Sequence, residues 1–362
     1  VRLLLTGDVM LGEGIDQVLP HQCAPVLYES CVRDARTYVK LAEAANGPLP
    51  RQRGFDYPWG VALRDMQAKA PDARIINLET AVTTSPQAWP DKGINYRMHP
   101  GNVPALTAAG IHVCCLANNH TLDWGVEGLL ETLSVLRGAG MQTPGAGRDL
   151  DEAEAPAVVP LPAAAAAASG SGDTGASGSS TSGGTSSGTS SGRRLLVWAI
   201  GHSSSGVPAA WAAARGRPGV FAADLSPAGV RHLADLVRHH KRPGDIALVS
   251  VHWGSNWGYS PAPVLHTLPI SVCPAALSYS SCVAAGVDVV CGHSSHHVKG
   301  AEVHAGKLAI YGCGDLVSDY EGIAAVYPPE QYRDDVGCLW YADVDAGDGR
   351  LRQLTVTPTR LK

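Results

Sequence analysis

The sequence predicts an α/β fold, and three observations support it. Apolar, strand-like segments recur along the chain, and helix-like segments lie between several of them. The late strand-like segments, near 307–312 and 351–357, follow one another with little helix between them. Repetition of strand, helix and strand predicts parallel βαβ units. Two sheets packed face to face, with helices outside them, accommodate both halves of the chain.

Five strand-like segments run directly into residues that can bind a metal ion or act as an acid or base. They are LLLTGD ending at Asp8, RIINLE at Glu79, HVCCLANNH at Asn119 and His120, IALVSVH at His252, and VDVVCGHSSH at His293 and His296. Ligands of an open α/β sheet bind beyond the carboxyl ends of its strands, so residues far apart in sequence can converge there. The pattern predicts one shared site.

The residue types indicate a metal site. Two carboxylates, one amide oxygen and four imidazoles are hard to borderline ligands, suited to Mn, Zn, Fe or Mg. Seven donors exceed the need of one tetrahedral ion. Two ions bridged by a carboxylate would use them all, in the arrangement that serves phosphoryl hydrolysis. The sequence therefore predicts two divalent metal ions and leaves their identity open.

Each element also has a purely structural interpretation. A single Asp after a strand, such as Asp8, is more often a turn or a helix cap, and an isolated histidine such as His252 is no stronger evidence. The Asn118-Asn119-His120 run and the His293 to His296 spacing are more specific. Taken together, the five segments favour the metal site.

Two helices can be located from local signals. Residues 125–137 carry apolar residues at three- and four-residue spacing, with Gly138 as a stop signal. A second helix is expected to begin at Ser226-Pro227 and to end before Pro243. The segment 261–285 has two interpretations: the strand–helix repeat calls for a helix before GVDVV, whereas its prolines interrupt any long helix and favour an inserted loop near the mouth of the site.

The chain, 1–362, is predicted to form a single domain with one interruption. Residues at about 163–193 are almost entirely Ala, Ser, Gly and Thr, a composition typical of a disordered insertion. The predicted ligands divide between the two sides of this segment. Two independent domains would each need a complete site, so the segment is interpreted as a surface insertion.

Composition limits the classes of partner. A net charge of −5 argues against a nucleic-acid surface, which normally carries a basic excess. Nine cysteines without CxxC spacing favour a reduced compartment. No run reaches the ~18 apolar residues that a membrane-spanning helix needs. Localisation stays open, including an anchor or targeting segment upstream of Val1, and so does the oligomeric state.

Longer motifs resemble a known family. They are GDVM at 7–10, INLET at 76–80, KGINYRMHP at 92–100, LANNHTLDWGVEGLLETL at 116–133, GAGRDLDEAEAP at 145–156, VHWGSNWGY at 251–259, GHSSHHVKGAEV at 292–303 and KLAIYGCGDLVSDYEG at 307–322. In this order they resemble the CapA-type poly-γ-glutamate capsule biosynthesis proteins, whose domain is similar to calcineurin-like metallophosphatases. The resemblance implies a four-layer α-β-β-α sandwich.

The resemblance also implies a role for each candidate residue. Asp8 and His296 match ligands of the first metal, and Glu79 stands where a bridging carboxylate is usual. Ligands of the second metal are matched by Asn119, His252 and His293. The resemblance makes His120 the proton donor, paired with Asn119 at the catalytic centre, and Arg97 a binder of a substrate anion.

Two positions depart from the family pattern. Ordinary metallophosphatases have a histidine two residues after the first Asp, whereas this chain has Met10, a poor ligand for these metals. Many CapA-like chains carry a basic residue after GDVMLG, whereas this chain has Glu13, which either adds a carboxylate to the site or lies in solvent. Trp253, Trp257 and Tyr259 either pack in the core or form a wall for the substrate.

Three functions are consistent with these features. The first is a metal-dependent, phosphoesterase-like hydrolase in which His120 protonates the leaving group. The second is participation in the synthesis, transport or trimming of a poly-γ-glutamate-type polymer. The third is a non-catalytic polymer-binding or accessory module with a degraded metal site. The expected substrate is a small molecule or a polyanionic polymer.

Overall fold

A computed structural model describes residues 1–50, 53–162, 192–259, 283–319 and 332–361. The predicted insertion at about 163–193 and the proline-rich segment 261–285 fall almost wholly outside these ranges. Both therefore stay predictions, as does the assignment of 1–362 to a single domain.

The first large sheet mixes parallel and antiparallel strands. Its members are β1 (Arg2–Val9), β2 (Ala73–Leu78), β5 (Val113–Cys115), β14 (Asp315–Val317), β15 (Val336–Val344) and β16 (Leu351–Arg360). The order is β16-β15-β1-β2-β5, and β14 also pairs with β1. Strands β2 and β14 run parallel to β1, whereas β15 runs antiparallel to it.

The second large sheet is built from the later part of the chain. Its members are β7 (Ala157–Pro160), β8 (Arg194–Gly201), β10 (Ile246–His252), β11 (Val289–His293), β12 (Ala301–His304) and β13 (Lys307–Ile310). The order is β12-β13-β11-β10-β8-β7, and the central strands β8, β10, β11 and β13 are parallel. Two small ribbons complete the strands, β3 (Ala81–Val82) with β4 (Arg97–Met98) and β6 (Ala146–Gly147) with β9 (Gly219–Val220).

The described helices are α1 (Glu13–Val18), α2 (Arg36–Asn46), α3 (Ala62–Lys69), α4 (Pro104–Ala108), α5 (Gly125–Gly138), α6 (Leu150–Glu154) and α7 (Pro227–His240). The two helices predicted from sequence, α5 and α7, are confirmed. Ser226 caps α7 by accepting a hydrogen bond from the Gly229 backbone N–H, and Pro227 occupies the first turn. Both features are typical of a helix start.

Alternation along the strands divides the apolar side chains into layers. Leu3 and Leu5 of β1 pack against the second sheet, together with residues such as Leu248 of β10. Leu4 points the other way, into a separate core that includes α5. Successive strand residues face opposite sides of a sheet, so each sheet has an inner and an outer apolar face.

The outer face of the second sheet is covered in the same way. Trp198 of β8 and Val249 of β10 pack with Leu233 and Val237 of α7. The layers are therefore helix, sheet, sheet and helix, which confirms the predicted α-β-β-α sandwich. Among the described residues, no helix combines the length and apolar character needed to cross a membrane.

Candidate metal centre

The candidate residues meet at the carboxyl ends of strands from both sheets. Asp8 lies near the end of β1, and Glu79 follows β2 directly. His252 and His293 are the last residues of the neighbouring parallel strands β10 and β11, where they are register partners. Pairing between β1 and β2 shifts register between Leu5 and Asp8. Such an irregularity bends a strand locally and re-aims its side chains.

Asp8 is the centre of the group. Its side chain is fully buried, and its Oδ1 lies 3.0 Å from Nδ1 of His293 and accepts a 2.8 Å hydrogen bond from Nδ2 of Asn77. Its Oδ2 accepts a 3.2 Å hydrogen bond from the backbone N–H of Ser294. Ser294 has φ of 82°, a left-handed conformation that is uncommon outside glycine. Strained backbone of this kind is concentrated at functional sites.

One group of possible ligands consists of Asp8, Glu79 and His252. A donor atom from each lies within 4.8 Å of the other two, and all three residues are buried. Nε2 of His252 is 3.8 Å from Oε1 of Glu79 and 3.0 Å from Oδ1 of Asn119. Asn77 also donates a 3.1 Å hydrogen bond to Oε2 of Glu79, so one amide orients both carboxylates.

A second group consists of Asp8, His296 and Asp315, again with donor atoms within 4.8 Å of one another and all buried. Nδ1 of His296 is 3.1 Å from each carboxylate oxygen of Asp315. The sequence prediction missed Asp315. Its signal was present, because Gly314-Asp315 follows the apolar segment 308–311 as Gly7-Asp8 follows 3–5.

His120 lies between this centre and an ion pair. Its Nε2 is 3.9 Å from Oε1 of Glu79. On the other side of the ring, Nδ1 is 2.6 Å from Oδ2 of Asp123 and 3.1 Å from Nζ of Lys92. Lys92 and Asp123 form an ion pair of 2.7 Å. Tyr96 packs its ring edge-on against the imidazole, with centroids 4.5 Å apart.

Comparison with known proteins places the chain in a family. The model of the bacterial capsule synthesis protein PGA_cap matches residues 2–320. This protein belongs to the PGA_cap family. A "Probable polyglutamine synthesis accessory protein" of Mycobacterium tuberculosis is 42% identical over 369 aligned residues, covering 100% of this chain and 85% of that protein.

Other similarities of this PGA_cap chain are more distant. The capsule biosynthesis protein CapA of Bacillus anthracis is 20% identical, over 88% of this chain and 60% of that protein. A crystal structure of a novel phosphatase from Mycoplasma pneumoniae aligns over 99% of this chain and 93% of that one, with 10% identity and a TM-score of 0.47.

The electrostatics of the PGA_cap centre suit a cation. Burial, together with the negative charge of Asp8, raises the pKa of Glu79 well above its usual value. Burial also raises the pKa of Asp315 to about 6. For Asp8, burial opposes ionisation, but the hydrogen bond and charge of His293 hold its pKa well below the usual range. Three buried carboxyl groups so close together repel one another when ionised, and a divalent ion removes that cost.

The imidazoles fit the same interpretation. Burial lowers the pKa of His252 to about 3 and that of His120 to about 4, so both rings are neutral near pH 7. A metal ligand must be the neutral imidazole. Nδ1 of His252 is buried and has no hydrogen-bond partner among the described residues. Carboxylates and neutral imidazoles form a donor set that fits Mn, Zn or Fe.

The side chain of Arg97 makes its described contacts away from the candidate metal centre. Its guanidinium donates hydrogen bonds to the backbone oxygens of Ser85, at 2.7 Å, and Ala24, at 3.3 Å. The group stacks 3.7 Å from the ring centroid of Trp124 and lines a cleft of about 380 Å³ with His99. These contacts do not join it to the histidine and carboxylate group, and its substrate-binding role stays a prediction.

The two departures from the family pattern have clear positions. Met10 is fully buried, and its backbone N–H donates to the Val317 oxygen. Glu13 is only 5% exposed, so the expectation that it could lie in solvent is wrong. Its neighbours are carboxyl groups outside the metal centre, and burial with the charges of Asp319 and Glu29 raises the pKa of Glu13 well above its usual value.

The aromatic residues after β10 divide between the two interpretations. Trp253 stacks on Tyr311 and donates a 3.2 Å hydrogen bond to its backbone oxygen, which is a packing role. Trp257 lies with its ring centroid 6.0 Å from that of His296. Tyr259 is 56% exposed and contacts the ring of His297, with centroids 4.7 Å apart. These last two residues lie beside the centre, where a substrate wall stays a prediction.

Proposed function

We propose that this PGA_cap protein is a metal-dependent hydrolase acting in the metabolism of a polyanionic, poly-γ-glutamate-type polymer. The observation that carries the proposal is that Asp8 belongs to both groups of buried donors. One carboxylate shared by two ligand groups is the arrangement expected when two ions lie ~4 Å apart. Family membership supports the connection to the polymer.

The two groups suggest how the ligands divide. Glu79, Asn119 and His252 would hold one ion, and His296 would hold the other. Asp8 touches both groups, whereas the family resemblance gives the bridging position to Glu79. His293, whose Nδ1 is 3.0 Å from Asp8, would join the ion held by Glu79, Asn119 and His252. When bound, the ions supply Lewis-acid polarisation of the scissile phosphoryl or carbonyl group and lower the pKa of water.

His120 is positioned to move a proton. The short contact between its Nδ1 and Asp123 fixes the ring and leaves Nε2 on the side of Glu79. In the neutral ring Nε2 carries no proton, so His120 would first take a proton from the attacking water and then pass it to the leaving group. Lys92 bridges His120 and Asp123, and its positive charge offsets that of the carboxylate. A positioned histidine of this kind contributes roughly 10²- to 10⁴-fold to a hydrolytic rate.

The bond that is cleaved follows less directly from the geometry. A centre of this kind can act on a phosphodiester, a phosphomonoester or the amide of a γ-glutamyl chain, because each develops negative charge on oxygen in its transition state. The name of the mycobacterial relative supports a role in polymer synthesis. Because the proposed chemistry is hydrolysis, we propose that the protein trims or processes the poly-γ-glutamate-type polymer during its synthesis.

A second candidate is a non-catalytic accessory module. The observation that favours it is Met10, which is fully buried at the position where ordinary metallophosphatases have a histidine ligand. A module with one weak or missing ion would still fold and bind polymer. The His120–Asp123 contact argues for catalysis, because polymer binding alone does not require it.

Metal analysis and a substrate panel together test the proposal. The purified protein, loaded with Mn²⁺, is assayed on an aryl phosphodiester, an aryl phosphomonoester and a γ-glutamyl peptide. We expect two bound ions and turnover of at least one substrate. Bound metal without turnover of any of the three would favour the accessory module, and absence of bound metal would contradict the metal centre itself.

A further inference from the structure

We propose that Asp315 is a metal ligand in this protein. It would complete the ligands of the ion held by Asp8 and His296, where Met10 stands in place of the histidine ligand of ordinary metallophosphatases. This inference rests on the proposed metal centre. It assigns a ligand that the family resemblance does not supply.

Backbone pairing places Asp315 beside Asp8. Strands β14 and β1 are parallel, and Asp8 and Asp315 are direct register partners. The Asp8 backbone N–H donates a 2.9 Å hydrogen bond to the Gly314 oxygen. Register partners on neighbouring parallel strands lie about 4.8 Å apart and direct their side chains to the same face of the sheet. The two carboxylates are thus held side by side by main-chain hydrogen bonds.

The close approach depends on glycine. A Cβ atom on Gly7 would lie 1.6 Å from the Gly314 oxygen, so a larger residue at position 7 cannot be accommodated without movement. The paired Gly-Asp sequences at 7–8 and 314–315 therefore form one unit. Its geometric result is two fully buried carboxylates and the imidazole of His296 with donor atoms within 4.8 Å.

A cation would balance the negative charge of the ionised carboxylates at this position. Asp8 and Asp315 are both 0% exposed, and Asp315 makes its recorded side-chain contacts to Nδ1 of His296. The histidines that contact Asp8 and Asp315 are neutral when they bind a metal ion, so they supply no compensating charge to the two ionised carboxylates. Buried charges without a compensating partner are costly, and a bound ion is the common solution.

Met10 does not fill this role. Its thioether is a soft donor, poorly matched to the hard and borderline ions that carboxylates and imidazoles select. Without Asp315, this group of neighbouring donor atoms contains only Asp8 and His296. With it, three protein ligands are available, the number that catalytic ions usually receive while one coordination position stays open.

The competing explanation is that Asp315 only orients His296 by accepting a hydrogen bond from its Nδ1. Ligating histidines commonly have such a carboxylate partner. Two variants separate the explanations. Asp315→Asn retains an oxygen that can accept the hydrogen bond but loses the anionic ligand. Met10→Leu removes the thioether with little change in volume and is expected to fold, because volume-conserving apolar exchanges are well tolerated in a core.

The matched control is Asp319→Asn. Asp319 is also a buried carboxylate, four residues further along the chain, but its recorded hydrogen bond is to the Gly14 backbone N–H. The full-length proteins are stripped with a chelator, reloaded with Mn²⁺ and measured by elemental analysis and calorimetric titration. We expect two ions in the wild type, in Met10→Leu and in Asp319→Asn. In Asp315→Asn we expect a single ion, because removal of an anionic ligand leaves two protein ligands at that position, whereas loss of an orienting partner alone would weaken the second ion by only ~10- to 100-fold.

Four results would overturn the inference. Asp315→Asn that still binds two ions, at wild-type affinity or up to ~100-fold more weakly, would leave Asp315 as an orienting residue at most. Loss of an ion in Met10→Leu would identify the thioether as the missing ligand. A wild type that binds a single ion would show that the position stays incomplete although Asp315 is present. A wild type that binds none would also overturn the proposed function, so the two failures can be told apart.

Discussion

Asp8 and His293, which are 285 positions apart in sequence, lie with Oδ1 and Nδ1 at 3.0 Å. The contact joins the first strand of one sheet to a central strand of the other. The contact therefore depends on the packing of the two sheets against each other, which neither strand determines by itself. The candidate metal centre is assembled only when both sheets are packed together, and an ion bound there should in turn stabilise their contact.

The first prediction concerns this contact. His293→Ala removes one imidazole ligand from the candidate centre, so we expect bound Mn²⁺ and hydrolytic activity to fall together, by at least the ~10- to 100-fold that loss of a ligand's outer partner costs. His304→Ala, on the exposed strand β12, is the matched control and should retain wild-type metal content. Elemental analysis after gel filtration measures the outcome. Unchanged metal content in His293→Ala would remove His293 from the ligand set.

The second prediction separates proton transfer from metal binding. His120→Ala should lower hydrolytic activity by ~10²-fold or more while the metal content stays at the wild-type level, because His120 serves as the proton donor. Asp123→Asn should give a smaller loss, since the imidazole keeps a neutral hydrogen-bond acceptor in place of the carboxylate at 2.6 Å. Activity and metal content are measured on the same preparations. A large loss of metal in His120→Ala would make it a ligand instead.

Local sequence patterns predicted most of the centre because a strand end is a local feature. Asp8, Glu79, His252 and His293 all lie in or directly after strands whose apolar residues are evident in the sequence. Parallel pairing then brings such ends to one edge. The fold class followed from the same alternation of strands and helices.

The positions of Asp315 and Glu13 depend on non-local structure. Asp315 joins the group of buried donors because β14 pairs with β1, and the local signal, a Gly-Asp pair after an apolar segment, does not specify that pairing. Glu13 was expected either at the site or in solvent, but its left-handed backbone, with φ of 45°, begins the short helix α1 and buries the side chain elsewhere. Arg97 hydrogen-bonds to backbone oxygens and stacks on Trp124, and its role as a binder of a substrate anion stays a prediction.

The third prediction tests the close approach of β1 and β14. Gly7→Ala introduces a Cβ that would lie 1.6 Å from the Gly314 oxygen, so the strands must separate and move Asp8 away from Asp315. We expect a loss of about 1–3 kcal/mol in the free energy of unfolding, together with weaker metal binding. Denaturant titration and calorimetric titration with Mn²⁺ measure the two effects.

Gly138→Ala is the control for that substitution. Gly138 ends α5, and an added Cβ there would meet no atom of the described residues within 4 Å. Alanine is the better helix former by up to ~1 kcal/mol, so this variant should be neutral or slightly more stable. Equal effects of the two substitutions on metal binding would contradict a specific role for the Gly7 contact.

The final prediction concerns pH and a carboxyl group outside the centre. Burial raises the pKa of Asp319 to about 7, above its ordinary value of 3.8. Between these values the unfolded chain has an ionised Asp319 and the folded protein a protonated one, so stability falls as pH rises through this window. Asp319→Asn, which cannot ionise, should therefore increase the free energy of unfolding at pH 8 by on the order of 1–4 kcal/mol, and the gain should vanish below pH 4.

Asp345→Asn should change stability in the opposite direction. Asp345 is partly exposed and accepts hydrogen bonds from Gly347 and Arg352, and these interactions lower its pKa to about 2. Its contribution to stability is present above pH 4 and disappears as pH falls through 2, so the Asn variant should be less stable at neutral pH. Denaturant titrations of the metal-free protein between pH 4 and 8 measure both variants. A proton that Asp319 takes up on folding makes the stability difference between Asp319→Asn and the wild type grow with pH. If Asp319→Asn gave no gain at pH 8, or a gain independent of pH, the buried carboxyl group would not be protonated in the folded protein.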